Sequence, residues 1–221
     1  MAASGTAPAP SETFEADLDD GTRILFRPIR PDDKSRLEAG LEHLSAESRY
    51  MRFFRHFDHF SDAQLKYLTE VDFNDHFAWM ATMPDLPGEP GAGVGRWIRT
   101  PGEPNIAEGA VTVVDKLHHR GIGSTLLWLM ARSAIQHGIE AFRAWTLGEN
   151  RAVLDLLHQM GARPGRWDSG VLEVIVPLPR DVADLEETAA PLVLKAAASG
   201  VLQAEADPLR PAATRLRPPE G

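Results

Sequence analysis

From Val111 to Met130 the chain reads VTVVDKLHHRGIGSTLLWLM. Its first four residues are β-branched, as in a buried strand, and Leu126 to Met130 are apolar enough for a buried helix face. Between them stand His118, His119 and Arg120, and then Gly121 and Gly123, one residue apart. A strand therefore passes through a short basic loop into a helix whose first turn is nearly bare of side chains. A helix N-terminus carries unpaired N–H groups and about half a positive charge. Phosphates settle there when no side chain blocks the approach. Gly121 and Gly123 remove the block, and Arg120, His118 and His119 add donors at the rim. The stretch predicts a diphosphate-bearing cofactor at the mouth of this helix.

Two common phosphate loops do not fit. A nucleotide P-loop needs Lys and Ser/Thr after its last glycine, and Gly123 is followed by Ser124, Thr125 and Leu126. A dinucleotide fingerprint needs a third glycine, and that position is Leu126. It also places its glycines directly after the strand, whereas Lys116 to Arg120 intervene. The acid that should end the next strand, Glu140, precedes that strand instead.

Outward from this stretch the chain alternates strands and helices. TRILFRPI (22–29) reads as a strand, and Pro31-Asp32-Asp33 opens a helix spaced by Leu37, Leu41 and Leu44. A second helix, SAESRYMRFFRHF, starts at Ser45, and Ser61 with Gln64 predicts a capping box for a third, SDAQLKYLTEV. Strands are expected at 76–83, 93–99, 106–114, 140–147 and 171–178. A helix, STLLWLMARSAIQH, follows the glycines with Leu127, Met130, Ala131 and Ala134 on one face, and ENRAVLDLLHQM forms another, closed by Gly161. The expected fold class is α/β: a mixed sheet flanked by helices, over residues 14–179. Residues 1–13 read as a disordered leader. Residues 180–221 read as an extension, partly helical and then Pro-rich.

Composition limits the function. The 221 residues carry 23 Lys and Arg against 32 Asp and Glu, a formal charge of −9. That field disfavours nucleic acid and anionic membranes as partners. The absence of cysteine excludes disulfides, thiolate metal sites and a cysteine nucleophile. No metal site is expected, because adjacent His118 and His119 cannot face one ion as an i, i+4 pair does. No segment reads as a signal or a membrane span, so the expected location is the cytoplasm.

The run V-D-x-x-H-H-R-G-I-G-S-x-L-L resembles the cofactor loop of the GNAT superfamily of N-acetyltransferases. FRPIRPDD, followed by HLSAESRYMRFF, resembles the N-terminal part of that superfamily's bacterial protein-lysine acetyltransferases. IAEGAVTVVD is similar to their fourth strand, and LGENRAVLDLLHQMGA to the segment that opens their last long helix. The resemblance covers residues 22–178. It implies a central, mostly antiparallel mixed sheet and acetyl-CoA as co-substrate. It further implies cofactor contacts at Val113, Val114, Asp115, His118, His119, Arg120, Gly121, Ile122, Gly123, Ser124 and Asn150, with oxyanion donors on the backbone around Val113 to Asp115. Tyr50 and Arg52 are expected to touch the acceptor. The tyrosine acid of many relatives is replaced here by Leu157. With no cysteine to carry an acyl group, direct attack is the expected route.

Acyl transfer to an amine needs a base, since a lysine near pKa 10.4 is almost wholly protonated at pH 7. Glu108 is the candidate, in a strand of small and apolar residues that would tend to raise its pKa. The relatives carry a catalytic Glu in the matching segment; the plain alternative is a solvated edge-strand acid. The acceptor implied is a protein lysine. A small amine such as an aminoglycoside, polyamine or amino acid is the alternative, and a non-catalytic acyl-CoA-binding domain is another. Trp79, Trp97 and Trp145 are expected in the strand core.

Overall fold

The structure is a computed structural model, and it describes residues 10–53, 56–148, 154, 161–168 and 170–185. Eight strands form one sheet: β1 Phe14–Asp17, β2 Arg23–Pro28, β3 His76–Thr82, β4 Gly91–Thr100, β5 Glu103–Val113, β6 Ala141–Leu147, β7 Arg163–Asp168 and β8 Val171–Pro177. Their order across the sheet is β1-β2-β3-β4-β5-β6-β8-β7. Every pairing is antiparallel except that of β5 with β6. The mixed, mostly antiparallel sheet matches the expectation. Four α-helices are described: α1 Lys34–Glu42, α2 Ala46–Phe53, α3 Asp62–Thr69 and α4 Ile122–Gln136. None of them is long and apolar enough to cross a membrane.

Two short strands escape the sequence reading. In β1 only Phe14 is partly shielded, and every residue of β7, RPGRWD, is exposed. Neither shows the buried alternation that marks a strand, because each is an edge strand shaped by its neighbour's hydrogen bonds. At the N-terminal side, Glu12 forms an ion pair with Arg132 of α4 at 2.7 Å. At the other end, residues 182–185 are helical and Leu185 joins the core. The expected leader up to residue 9, the helix opened by Asn150 and the extension after residue 185 lie outside the described residues.

The entry to α1 is held by a buried ion pair. Arg27 of β2 reaches both oxygens of Asp33 at 2.7 Å, and the Arg30 amide donates to Asp33 at 2.8 Å. Asp33 sits in a 3-10 turn, Pro31–Asp33, ahead of α1. At α3 the predicted box forms as expected, with Ser61 accepting from the Gln64 amide and Gln64 accepting from the Ser61 amide.

The core is thickest where α4 crosses β3 and β4. Leu126, Leu129, Met130 and Ala134 are fully buried there. The approach is close because β4 presents glycine: a Cβ at Gly95 would stand 2.8 Å from the Met130 sulfur and 3.2 Å from Leu126 Cβ. The indoles of Trp79 and Trp97, buried as expected, both donate to the Ser133 hydroxyl of α4, at 3.3 and 3.0 Å. These contacts lock α4, and with it the loop ahead of it, against the sheet.

Candidate active site

The site begins as a fork between two parallel strands. β5 and β6 pair only from Ile106↔Ala141 to Glu108↔Arg143. Beyond that point β5 runs on to Val113 along β4, and β6 runs on to Leu147 along β8. Among the described residues, no strand covers the inner edge of β5 past Glu108. Strand alternation fixes which amides face this gap. Val114 N–H donates to Ala92 O on the β4 side, whereas the Asn105 carbonyl accepts from Glu140 on the β6 side. The amides of Val111 and Val113 therefore point into the fork. Unpaired backbone at a sheet edge favours an extended ligand that can complete the ladder.

The fork leads directly to the glycine loop. After β5 comes a 3-10 turn, Asp115–Leu117, and then the N-cap of α4 at Gly121. Gly121 has φ +84° with nothing near a would-be Cβ, so the glycine is needed for the backbone conformation and leaves the helix mouth open. His119 also has positive φ, 59°. Ile122, Gly123 and Ser124 form the buried first turn, whose amides have no acceptor within the helix.

Several expected cofactor contacts prove to have other partners. Val114 N–H is committed to Ala92, which takes it out of the expected group of backbone donors. The Asp115 carboxylate turns away from the helix mouth and accepts from the Ser45 amide at 2.8 Å. Burial opposes its charge, but hydrogen bonds from Ser45 and Ser48, together with nearby His118, hold its carboxyl below the usual range. The His118 amide donates to Asp115 O, and its ring Nε2 lies 2.9 Å from Val113 O. Arg120 pairs with Asp20 at 2.6 Å, which keeps the Asp20 carboxyl well below its ordinary value. The side chains thus brace the loop, and the backbone of Gly121 to Ser124 forms the mouth of α4. Asn150, Leu157 and His158 lie outside the described residues.

Glu108 stands at the apex of the fork, only 3% exposed. It is therefore not the solvated edge acid that the sequence left open. Gly109, next along, faces Met130 and Phe142, so Glu108 points to the opposite face of the sheet. On that face the register places His76, Ile98, Glu108 and Arg143 in one row. Arg96, one row along on β4, is buried, donates to Leu68 O at 3.2 Å and lies 3.0 Å from the His76 ring. Tyr67 of α3 packs on His76, with ring centroids 5.0 Å apart. Composition and spacing did not single out Tyr67, His76 or Arg143 for this site, because five separate elements, α3, β3, β4, β5 and β6, meet there.

The residues expected to meet an acceptor divide. Tyr50 is half exposed on α2. Arg52 is 8% exposed, donates to Thr112 Oγ1 at 3.0 Å and ties α2 to β5. Beside it, on the Glu108 face, lies a largely apolar pocket, open to solvent and lined by Leu41, Leu44, Arg52, Phe53 and Thr112 among others. Among the described residues, no group of three or more His, Asp or Glu side chains is arranged to hold a metal ion.

Known proteins share this architecture. The model of a family described as acetyltransferase (GNAT) matches residues 41–162. Acetyltransferase Pat of Mycolicibacterium smegmatis is 35% identical over 159 residues, which is 72% of this chain and 47% of that protein. The chain thus spans about half the length of that curated relative. The GNAT domain of S. lividans PAT superposes with a TM-score of 0.67 at 29% identity, covering 77% of this chain and all of that one. A cAMP-binding acyltransferase from Mycobacterium smegmatis superposes with a TM-score of 0.51 at 27% identity, covering 85% of this chain and 55% of that one.

Proposed function

The chain belongs to the acetyltransferase (GNAT) family, and from that premise we propose that it moves the acetyl group of acetyl-CoA to a protein lysine, with Glu108 as general base. The observation that carries this reading is the buried carboxylate at the apex of an open parallel fork that leads to a bare helix mouth. The resemblance of FRPIRPDD and HLSAESRYMRFF to bacterial protein-lysine acetyltransferases supports the acceptor class.

The residues divide the work. The first-turn amides of α4, Gly121 to Ser124, hold the diphosphate. Val111 and Val113 N–H groups pair with the extended arm of the donor as a neighbouring strand would. At pH 7 about one lysine in 2,500 is the free amine. Glu108, directly or through a water, takes the ammonium proton, and the amine then attacks the thioester carbonyl. A C–N bond forms, the carbonyl oxygen takes the negative charge, and an N–H aimed into the fork stabilises it. The C–S bond then breaks, the thiolate leaves, and it takes, directly or through water, the second proton that the attacking nitrogen sheds. Its acidity is near that of a cysteine, about 8.5, so it needs no strong acid. Tyr50 and the rim of the apolar pocket meet the protein acceptor.

The test is Glu108→Gln. Loss of a general base should lower turnover roughly 10²- to 10⁴-fold, while acetyl-CoA binding, read by calorimetry, stays unchanged. Undiminished turnover on a lysine peptide would remove Glu108 from the mechanism.

A further inference from the structure

We infer that the indole of Trp167 is the surface on which the adenine of acetyl-CoA stacks, given the diphosphate at the mouth of α4 that the proposed function assigns. Trp167 of β7 is 62% exposed, whereas the strand tryptophans Trp79, Trp97 and Trp145 are 2%, 0% and 4% exposed. A lone exposed ring is common on proteins; the position of this one is what matters. Strands β5 and β6 run parallel, so their carboxyl ends, Val113 and Leu147, lie at one end of the sheet. There the fork is open and α4 begins. A sheet with parallel strands binds its ligand outside those ends. Trp167 reaches the same end, because its ring lies against Gly148, the residue after β6, where any Cβ would collide with it. The Gly148 amide donates to Gly170 O at 2.9 Å, which ties this backbone to the β7–β8 turn.

The ring is also on the right face. Phe142 lies with Met130 of α4 beside Gly109, so it points to the α4 side of the sheet. Alternation carries that side through Ala144 and Thr146 to Gly148. The register agrees, since Thr146 pairs with Leu172 and Leu172 with Trp167. The indole and the first turn of α4 thus share one face at one end of the sheet, on opposite sides of the fork. The other exposed rings among the described residues, Tyr50 and Tyr67, belong to the Glu108 face: α2 is tied to Thr112 by Arg52, and Tyr67 packs on His76. In the donor, the diphosphate joins the acyl-bearing arm to the adenosine. With the arm in the fork and the diphosphate at the helix mouth, the adenosine is left outside the fork at this end. An adenine there offers a π-face, and an exposed indole is the side chain that takes one without needing a matched hydrogen bond.

The test compares two acetyl donors: acetyl-CoA, and S-acetyl-phosphopantetheine, which lacks the adenosine. Trp167→Ala should raise the KM for acetyl-CoA about fivefold or more. Its KM for the truncated donor, and its kcat with either donor, should match the parent. Trp167→Phe keeps a ring and should recover most of the loss. In the parent protein, acetyl-CoA should quench the emission of the exposed indole and the truncated donor should not; this measurement needs no variant, should Trp167→Ala not fold. A merely structural role for the ring would raise both KM values together or lower kcat. That outcome, an unchanged KM for acetyl-CoA in Trp167→Ala, or equal quenching by the two donors overturns the inference. Failure of the donor reading looks different: Gly123→Val would then keep full acetyl-CoA affinity whatever Trp167 does.

Discussion

The Ser45 amide, at the head of α2, donates to Asp115 Oδ2 at 2.8 Å across 70 residues of sequence. One carboxylate in the loop between fork and helix mouth thereby caps the helix that carries Tyr50 and Arg52. Ser45 Oγ accepts from the Ser48 amide at 3.0 Å, so the cap is built from two sides. Helix α2 and the loop ahead of α4 are joined at this point.

Asp115→Ala should therefore loosen α2 without removing any group from the backbone at the mouth of α4. Loss of a helix cap costs about 0.5–2 kcal/mol. The folded-state pKa of Asp115 is lowered, so its contribution is present above the unfolded value of 3.8 and is lost as pH falls through the lower folded value. Urea midpoints measured from pH 7 down to pH 3 should show a parent whose advantage over Asp115→Asn shrinks toward the acid end. An advantage that grows on acidification would contradict this sign.

Gly123→Val should weaken acetyl-CoA binding at least tenfold while the fold persists, because branched carbon would stand in the buried first turn of α4, where the proposed function places the diphosphate. Calorimetric titration reads it directly. Unchanged affinity would place the diphosphate elsewhere.

Asp33→Ala should be among the costliest changes in the chain. It strands the Arg27 guanidinium, 4% exposed, and removes the acceptor of the Arg30 amide. Breaking one side of a buried pair costs about 3–5 kcal/mol. Replacing both partners by apolar residues, Arg27→Met with Asp33→Leu, should recover part of that in urea unfolding.

Ser133→Ala leaves two indole N–H groups, of Trp79 and Trp97, without their shared acceptor. A buried donor left unpaired costs about 1–3 kcal/mol. The melting temperature should fall, and the near-ultraviolet circular dichroism of the tryptophans should change with it. A silent substitution would mean that water replaces the hydroxyl.

Much of this was legible in the linear order. The six strands with apolar alternation, the Ser61–Gln64 box and the glycine-opened helix each follow from local stereochemistry, which acts between residues a few positions apart. Motifs tied to backbone geometry, such as Gly121 at φ +84°, survive translation into structure because the chain itself enforces them. The edge strands β1 and β7 were not legible, since their hydrogen bonds come from partners and not from their own pattern. The side-chain commitments of Asp115 and Arg120 were hidden for a similar reason: Ser45 and Asp20 lie far away in sequence.

The sequence by itself determined the order of the six apolar strands, the absence of thiol chemistry and the bare mouth of α4, because composition and near-neighbour sterics suffice for each. Only the tertiary structure decided that β5 and β6 part company at Glu108, and that His76, Glu108 and Arg143 share a row. Register between strands is a property of pairs, set when whole faces are buried together, and no single strand records which residue will stand beside it.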